Sequence, residues 1–393
     1  MNIALTTSVI QRGKSGVGRY VLALIEALLA QAGDHRLTLF VLEEDLPLFD
    51  FAKDAATLVP VAESWRPAVK NIAWHHAVLP SLLRRHRIDV LHTPSYRRMT
   101  IHGAPAHVAT IHDLAPFHVR GKYDLARMFY GRVVVRALAR RQTEIIAVSH
   151  NTAQDIERFF QVPVAQQTVV LNGLDHRQFQ PAATGANAHS THGLDQPFFL
   201  YVSRLEHPAK NHVRLIEAFN EFKASTPSPW QLALGGSDWH GAEHIHAAAQ
   251  ASAFAKDIRF LGFVADAELP SLYRAAGAMV YPSLFEGFGL PPVEAMACGC
   301  PVISSTRGAL QEVVADAADI VDPDNASDIA AALSRLATDA GHRQRLMERG
   351  LQNAQRFDWN RNARLVLETY ERAFRRTRPE RHQARAARTW QEA

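Results

Sequence analysis

Residues 281–305 read YPSLFEGFGLPPVEAMACGCPVISS, and the order of residue types in this stretch decides the fold. The end of an apolar run is followed by a glycine-rich loop, a proline pair that opens an alanine-rich helix, and Gly299, which closes that helix before a second apolar run. Proline costs little at the start of a helix, because the amide there has no intrahelical acceptor. The stretch therefore predicts a strand, a loop, a short helix and another strand, which is the repeating unit of a parallel α/β sheet.

Short apolar runs alternate with amphipathic stretches along nearly the whole chain, which predicts two sets of parallel strands. We expect strands at 1–7, 37–42, 88–93, 107–112, 144–149 and 168–172, and then at 198–203, 231–236, 258–262, 278–283, 301–305 and 318–322. Helices in the first half are expected at 18–31, 71–86, 123–141 and 150–160. In open α/β sheets, ligands bind outside the carboxyl ends of the strands, so a cleft between two such domains is the expected site.

Residues 181–197, PAATGANAHSTHGLDQP, are the best candidate for a linker, because they are rich in small and turn-forming residues and lack periodicity. We therefore predict an N-terminal Rossmann-like domain over 1–180 and a C-terminal Rossmann-like domain over 198–357. An amphipathic helix is expected at 358–375, packing back on the first domain. The arginine-rich residues 376–393 are expected to form a basic tail.

The composition limits the class of protein. The 393 residues are 47% hydrophobic and 21% charged, as in soluble globular proteins with more than one domain. No apolar run approaches the roughly 18 residues that a spanning helix needs, and the first residues lack the pattern of a secretory signal. The two cysteines, Cys298 and Cys300, suit a reducing compartment, so we expect a cytoplasmic protein. A net charge of +4 suits phosphorylated ligands or an anionic membrane surface, and we find no nucleic-acid-binding motif.

Glu286 and Glu294 flank the start of the predicted short helix. The free amides around Gly289 and the positive end of the helix would form a cradle for a diphosphate. One carboxylate could then reach a sugar, and the other could accept hydrogen bonds from a ribose diol. A turn glutamate and a solvated helix glutamate would explain the same two residues, so their context has to decide.

The sequence around the two glutamates favours a functional role for them. The motif E-G-F-G-L-P-P-V-E, with seven residues between its glutamates, resembles the signature of family-4 glycosyltransferases, retaining enzymes of the GT-B fold. Further segments that resemble this family lie at 15–20, 110–113, 147–156, 171–175, 201–219, 258–264 and 272–289. The resemblance covers most of the chain and implies an α/β protein with two Rossmann-like domains facing a central cleft and a C-terminal helix after the second domain.

The resemblance implies roles for charged residues of the second domain. Glu294 would bind the ribose of the nucleotide, and Glu286 would contact the transferred sugar. Arg204 and Lys210 would neutralise the departing diphosphate, because without a metal two cations must absorb its growing charge. The spacing between Arg204 and Lys210 is one residue longer than in the commonest form of the pattern, and a surface ion-pair role for either cation stays open.

Backbone groups complete the implied donor site. Amides around Phe288, Gly289 and Leu290 would help to hold the sugar and the phosphates. The backbone around Phe263 and Val264 would face the base.

In the first domain, the resemblance places Gly16 and Gly18 under the phosphates or the acceptor. The preceding Lys14-Ser15 looks like the end of a P-loop, but Ser8 stands where that motif requires glycine, so no triphosphate hydrolysis is implied. His112 matches the histidine that contacts the transferred sugar in this family. Asp113 would orient that histidine or cap the following segment. We assign no protein base, because the leaving phosphate is thought to deprotonate the acceptor hydroxyl in this family.

Two further patterns imitate metal sites. Residues 322–324, DPD, imitate a D-x-D metal motif, but a turn explains them. His240, His244 and His246 could place two imidazoles one helical turn apart, yet no fourth ligand is evident. We therefore expect neither a metal ion nor a cofactor.

Arg132, Arg136 and Arg140 recur every four residues in a predicted helix, beside apolar side chains. Such a basic amphipathic face suits contact with anionic lipid, and the arginines between 375 and 388 could add a second contact. A solvated face over a core-packed stripe explains the same spacing.

These expectations describe a cytoplasmic, metal-independent, retaining glycosyltransferase, in contact with the inner face of a membrane if the basic face binds lipid. It would move a hexose from a nucleotide diphosphate sugar, GDP-mannose ahead of UDP-hexoses, to a glycan or lipid-linked acceptor. The expected setting is the assembly of a bacterial surface polysaccharide such as lipopolysaccharide. The alternatives are a GT-B sugar-nucleotide isomerase or phosphorylase, and a non-catalytic sugar-nucleotide-binding partner.

Overall fold

The computed structural model describes residues 1–119, 129–181 and 193–377. Residues 182–192 of the predicted linker, 123–128 of one predicted helix and the predicted tail beyond 377 lie outside these ranges.

The described residues form two compact units, and each unit is built on one parallel sheet. The first unit contains residues 1–117, 129–173 and 359–377, and the second contains 118–119, 174–181 and 193–358. The α/β class expected from the sequence is confirmed. No helix among the described residues combines the length and the apolar character that crossing a bilayer requires.

The first sheet has seven strands in the described residues, in the order β3-β2-β1-β4-β5-β6-β7. They are β1 (Asn2–Thr6), β2 (Arg36–Leu42), β3 (Ala56–Val61), β4 (Val90–Thr93), β5 (Ala106–Ile111), β6 (Glu144–Ala147) and β7 (Gln167–Val169). The sequence predicts all of them except β3. This strand lies at the edge of the sheet, contains Pro60 and buries only Val61, so it lacks the continuous apolar run of a central parallel strand.

The helices of the first unit depart from the prediction in two respects: one predicted helix is divided, and parts of two others are π-helical. They are α1 (Gly16–Gln31), α2 (Ala68–Ala77), α3 (Leu79–Arg85), α4 (Arg136–Ala139), α5 (His150–Asp155) and a C-terminal helix (Trp359–Thr377). The predicted helix 71–86 is divided into α2 and α3, because Pro80 has no amide hydrogen with which to continue the pattern of α2. π-Helical segments, Tyr130–Val135 and Ile156–Phe160, precede α4 and follow α5.

Helix α1 and the C-terminal helix share one hydrophobic core above the first sheet. Helix α1 buries Val21, Leu24 and Leu28 at helical spacing, and the C-terminal helix buries Val366 and Tyr370 in the same cluster. The end of the described chain is therefore part of the first unit, although residues of the second unit precede it.

The second sheet contains the six strands that the sequence predicts, in the order β10-β9-β8-β11-β12-β13. They are β8 (Phe198–Val202), β9 (Gln231–Gly235), β10 (Ile258–Gly262), β11 (Ala278–Tyr281), β12 (Val302–Ser305) and β13 (Ala318–Val321). The helices of this unit are α6 (His212–Ser225), α7 (Ala242–Ala251), α8 (Leu269–Ala275), α9 (Leu290–Ala297), α10 (Leu310–Val314), α11 (Ala326–Thr338) and α12 (Ala340–Ala354).

Short 3₁₀ turns complete the described secondary structure. They lie at Gln11–Gly13, Glu43–Ala52, Glu63–Trp65, Tyr96–Arg98, Ala115–Phe117, Val164–Gln166 and Ala255–Asp257.

Both sheets contain the Rossmann strand order 3-2-1-4-5-6, with one additional strand in the first. The order reverses between β1 and β4 in the first sheet and between β8 and β11 in the second. The chains that leave these neighbouring strands run to opposite sides and open a crevice at the carboxyl ends, where ligands bind in such sheets. The fold thus assigns the loops after β8 and β11 to the crevice of the second unit.

Candidate active site

The crevice of the second sheet is bounded by the loops that follow β8 and β11. The loop after β8 carries Arg204 and Lys210, and the loop after β11 carries Glu286. The two loops touch, since the backbone amide of Leu284 donates to the carbonyl of Ala209 at 3.0 Å. Three of the residues selected from the sequence therefore lie at the position where the fold binds ligands.

Glu286 forms an ion pair with Lys210. Lys210 Nζ lies 2.6 Å from Glu286 Oε1, and the Tyr281 hydroxyl donates to the same oxygen at 3.2 Å. The side chains of the charged pair are only 15% and 16% exposed. Within the described part of the chain, Glu286 Oε2 has no hydrogen-bond partner. One oxygen of the carboxylate is thus held by the protein, and the other can accept from a ligand hydroxyl.

The neighbouring charges set the protonation states of this group. Burial alone lowers the pKa of Lys210, but Glu286 and Tyr201 outweigh it and raise that pKa above its ordinary value. Burial, together with the charge of Glu286, raises the pKa of Tyr281 well above its ordinary value. At neutral pH, Lys210 is therefore a cation and Tyr281 a neutral hydrogen-bond donor.

A second tyrosine ties the two loops together. Tyr201 is fully buried in β8, and its hydroxyl donates to the carbonyl oxygen of Lys210 at 2.7 Å. The same hydroxyl lies 3.1 Å from the hydroxyl of Ser283 in the loop after β11. The backbone at Lys210 is thus positioned by a strand and by the facing loop.

Gly308, which follows β12, holds the backbone of Glu286. The carbonyl of Glu286 accepts from the amide of Ala309 at 2.9 Å. Gly308 has φ +63°, and a Cβ there would lie 2.3 Å from the Glu286 carbonyl oxygen. Only glycine fits this position without moving the loop that carries Glu286.

Helix α9 begins directly after this loop. Gly289 is its N-cap, and no side chain caps the first amides. Phe288 is buried against Phe357, with ring centroids 5.5 Å apart, whereas Leu290 is half-buried at the first helical position. The first amides of this helix therefore have no side-chain cap, and amides at a helix N-terminus can bind an anion.

Glu294 lies inside α9 and is 3% exposed, so it is not a solvated helix glutamate. The hydroxyl of Tyr273, in α8, donates to Glu294 Oε2 at 2.9 Å. A carboxylate is buried in this way only where polar groups satisfy it. Glu294 therefore lies in the interior of the second unit.

Arg204 is an exposed cation of the crevice. Its side chain is 49% exposed and lies 3.4 Å from Glu206. The guanidinium stands 4.8 Å from the ring centre of Trp239, a cation–π distance. Lys210 is largely buried beside Glu286, whereas about half of the Arg204 side chain is exposed and accessible to an anion.

The expected base-facing residues follow β10. Phe263 is 68% exposed, and Val264 is buried. Their neighbourhood includes the backbone of Gly236, whose amide donates to the carbonyl of Gly262 at 2.7 Å. The structure thus leaves one large aromatic side chain free of the core at this position.

The glycine-rich turn of the first unit leads into α1. Ser15 is the N-cap, and its Oγ accepts from the amide of Gly18 at 3.0 Å. A Cβ on Gly18 would lie 2.5 Å from the carbonyl oxygen of Ile10, whereas nothing lies within 4 Å of a Cβ on Gly16. Gly18 therefore serves close packing and capping, and Gly16 borders open space.

His112 follows β5, and its ring packs edge-on against Tyr20 with centroids 4.7 Å apart. Its Nε2 lies 3.1 Å from the carbonyl oxygen of Pro94 and must carry the proton of that hydrogen bond. Burial lowers the pKa of His112, so the ring is neutral at pH 7 and Nδ1 is an acceptor. Asp113 accepts from the amide of Ala115 at 2.9 Å, which is a capping contact.

Side chains in the two patterns that imitate metal sites contact protein groups instead. The carboxylate of Asp322 accepts from the amide of Asp324, and both carboxylates face Arg307, as in a surface turn. His246 lies 2.9 Å from Asp238. Across residues 1–119, 129–181 and 193–377, no three side chains of histidine, cysteine, aspartate or glutamate are grouped so that they could hold a metal ion.

Cys298 and Cys300 are free and buried. Burial raises the pKa of Cys298 to about 12 and that of Cys300 further still. Both are therefore neutral thiols that pack as small apolar groups.

Two family models match the chain. The model described as "Glycosyl transferases group 1" matches residues 186–353, and the model described as "Glycosyltransferase Family 4" matches residues 14–178. The chain is a family-4 glycosyltransferase.

Its relatives agree with this assignment. The O-antigen chain mannosyltransferase B of Escherichia coli is 27% identical over 391 residues, which cover 94% of this chain and 100% of that protein. Several longer relatives are matched over 33–60% of their own length.

Solved structures share its fold. Sucrose-phosphate synthase from Thermosynechococcus elongatus superposes with a TM-score of 0.75 at 23% identity, covering 95% of this chain and 99% of that one. Anabaena Alr3699/HepE in complex with UDP and glucose superposes with a TM-score of 0.74 at 19% identity, covering 94% and 99%. At these identities the likeness shows the fold, which is GT-B.

Sequence reasoning misses three residues that shape the site of this glycosyltransferase. Tyr281 lies inside the predicted strand 278–283 and is the last residue of β11, and Gly308 follows β12 by three residues, so attention to strand ends could have found both. The contact of Tyr273 with Glu294 joins two helices and leaves no pattern in the sequence.

We expect the substitution Gly308→Ala to destabilise the protein by about 3–4 kcal/mol, because left-handed strain adds to a clash with the backbone of Glu286. The matched variant is Gly299→Ala, which has φ +77° but only ordinary contacts with Met347 at 3.7 Å, and it should cost about 1–2 kcal/mol. Urea unfolding measures both. Equal losses would show that the contact with Glu286 imposes no constraint.

Proposed function

We propose that this protein is a retaining hexosyltransferase that takes a hexose from a nucleotide diphosphate sugar without a metal ion. The observation that carries the proposal is the Lys210–Glu286 ion pair in the crevice of the second sheet, with Arg204 on the same loop as Lys210. Two cations can take up charge that develops on a diphosphate, and a carboxylate oxygen can accept from sugar hydroxyls.

We assign the rest of the donor to the elements around this pair. Glu294 accepts hydrogen bonds from the ribose, and the uncapped amides from Gly289 onward bind the diphosphate. The exposed Phe263 and the backbone at Val264 meet the base. Burial of Glu294 and the free start of α9 support these roles.

In the first unit, we assign His112 to the transferred sugar. Because the carbonyl of Pro94 holds the proton on Nε2, Nδ1 accepts a hydrogen bond from a sugar hydroxyl. A neutral ring has no charge to repel the cationic centre that forms as the sugar leaves. Gly16 gives this unit an open backbone approach for phosphate or acceptor.

The reaction needs no protein base. The bond between the anomeric carbon and the phosphate oxygen breaks, and the acceptor oxygen bonds to the same face of that carbon. The acceptor proton passes to the leaving phosphate oxygen. Arg204 and Lys210 stabilise the negative charge that remains on the diphosphate.

GDP-mannose is the donor that we favour, because the Escherichia coli relative matched over its full length is named a mannosyltransferase. UDP-hexoses come second, since a structural neighbour was solved with UDP and glucose. The O-antigen name of that relative supports a glycan or lipid-linked acceptor in surface-polysaccharide assembly. We place the reaction in the cytoplasm, where buried free thiols persist, at the surface of an anionic membrane.

The test is transfer in EDTA. The purified chain is incubated with GDP-mannose or UDP-glucose and candidate acceptors, and NMR records the anomeric configuration of the product. We expect an α-linked product from the α-linked donor. Glu286→Gln should lower the rate about 100-fold, whereas Glu243→Gln, whose side chain is 75% exposed, should not change it.

Each other result would contradict a named part of the proposal. A β-linked product would exclude retention, and loss of activity in EDTA would exclude a metal-free reaction. Turnover with inorganic phosphate alone would indicate a phosphorylase. Rearrangement of the donor without an acceptor would indicate an isomerase, and donor binding without any turnover a non-catalytic partner.

Substitutions of Tyr281 and Tyr273 should separate sugar recognition from nucleotide recognition. Tyr281→Phe removes a hydrogen bond to the charged Glu286, so kcat/KM should fall about 10- to 100-fold while the Kd of the nucleoside diphosphate stays the same. Tyr273→Phe should instead weaken binding of the nucleoside diphosphate about tenfold, through Glu294. Calorimetry and initial rates measure these quantities. Equal weakening of nucleotide binding by both substitutions would contradict the separate roles of the glutamates.

A further inference from the structure

A cleft of about 380 Å³ opens on the first unit and is lined by Phe117, Arg132, Arg136, Arg158 and Phe159. Three of these five residues are arginines. They come from two separate helical stretches, one around Tyr130–Val135 and the start of α4, the other Ile156–Phe160. We call this feature the arginine cleft.

Neutral groups hold all three guanidinium groups. Arg132 stands 5.8 Å from the ring centre of Phe117, and Arg158 stands 5.1 Å from that of Phe159. The two phenylalanine rings stack on each other at 4.6 Å. Arg136 donates to the side chain of Gln161.

In the part of the chain that the structure describes, no carboxylate pairs with any of the three arginines. Three cations around one cleft repel each other unless an anion joins them. The guanidinium group is the cation best shaped for phosphate, which it binds through two parallel hydrogen bonds. The chemistry of the cleft is therefore that of a phosphate site.

Exposed apolar side chains accompany the arginines. Phe129, Val133 and Val134 are 64%, 50% and 36% exposed, and they lie in the same helical stretch as Arg132 and Arg136. An isolated phosphate ion would make no favourable contact with these apolar side chains. A lipid would, because apolar side chains enter the region of the acyl chains while arginines stay at the headgroups.

We propose that the arginine cleft binds the phosphate of an anionic phospholipid, with Phe129, Val133 and Val134 entering the same leaflet. The proposal deepens the membrane contact included in the proposed function and gives it a site. Arg140, which continues the four-residue spacing of Arg132 and Arg136, does not line the cleft. Arg158, which the spacing does not reveal, does line it.

This difference provides the test. The full chain, without donor, is floated with vesicles of phosphatidylcholine alone and with vesicles that contain about 30% phosphatidylglycerol. We expect binding only to the anionic vesicles. Arg132→Gln and Arg158→Gln should each weaken binding about tenfold or more, and the matched control Arg140→Gln less than about twofold.

Diffuse attraction predicts a different result. Each basic residue near an anionic surface would then contribute about 1 kcal/mol, so all three variants would lose about fivefold. Equal losses would overturn the cleft as a site. Thermal melting shows whether each variant is folded. Because Arg132 and Arg158 lie in different segments, the second variant still tests the proposal if the first does not fold.

A second arm separates lipid from free phosphate. Inorganic phosphate is added to vesicle-bound protein and compared with chloride at the same ionic strength. We expect phosphate to release more protein than chloride does, because free phosphate competes for the same guanidinium groups. Equal release by the two anions would contradict recognition of a phosphate group by the cleft. Stabilisation of the chain by inorganic phosphate, without binding to anionic vesicles, would contradict the lipid assignment. Since no sugar donor is present, these outcomes do not depend on the proposed transferase activity.

Discussion

A carboxylate and an ammonium group that are both more than four-fifths buried have to lie together, and this requirement organises the second unit. Leaving either charge of the Lys210–Glu286 pair without its partner would cost about 3–5 kcal/mol. The pair joins the loop after β8 to the loop after β11, and these two loops border the crevice at the point where the strand order reverses. The contacts of Tyr201 and Tyr281 are arranged around it.

The same pair explains how charge is distributed over the site. Lys210 and Glu286 neutralise each other, whereas Arg204 is about half exposed, beside Glu206 and over the ring of Trp239. We infer that an arriving diphosphate meets Arg204 first and then shares Lys210 with Glu286. Since Glu286 keeps one oxygen without a partner in the described chain, the sugar can be recognised without breaking the ion pair.

The sequence predicts the elements of the fold and the position of the site better than it predicts the contacts within them. The family resemblance selects Arg204, Lys210 and Glu286. The apolar runs place the loops that carry these residues at the carboxyl ends of parallel strands, which lie at the same edge of the sheet. Edge strand β3 escapes detection because it contains Pro60 and is half exposed. The contact of Tyr273 with buried Glu294 and the Lys210–Glu286 pair join residues that are far apart in the chain. No local sequence pattern predicts such contacts.

The most direct test of this account is donor binding in the presence of EDTA. At 100 times its Kd, a nucleotide diphosphate sugar should stabilise the wild-type chain by about 2.7 kcal/mol, which raises Tm by a few degrees. Glu294→Gln should abolish that rise, whereas Glu243→Gln, on the surface, should retain it. A rise that Glu294→Gln leaves intact, or no rise with any GDP or UDP compound, would contradict a donor site in the crevice of the second sheet.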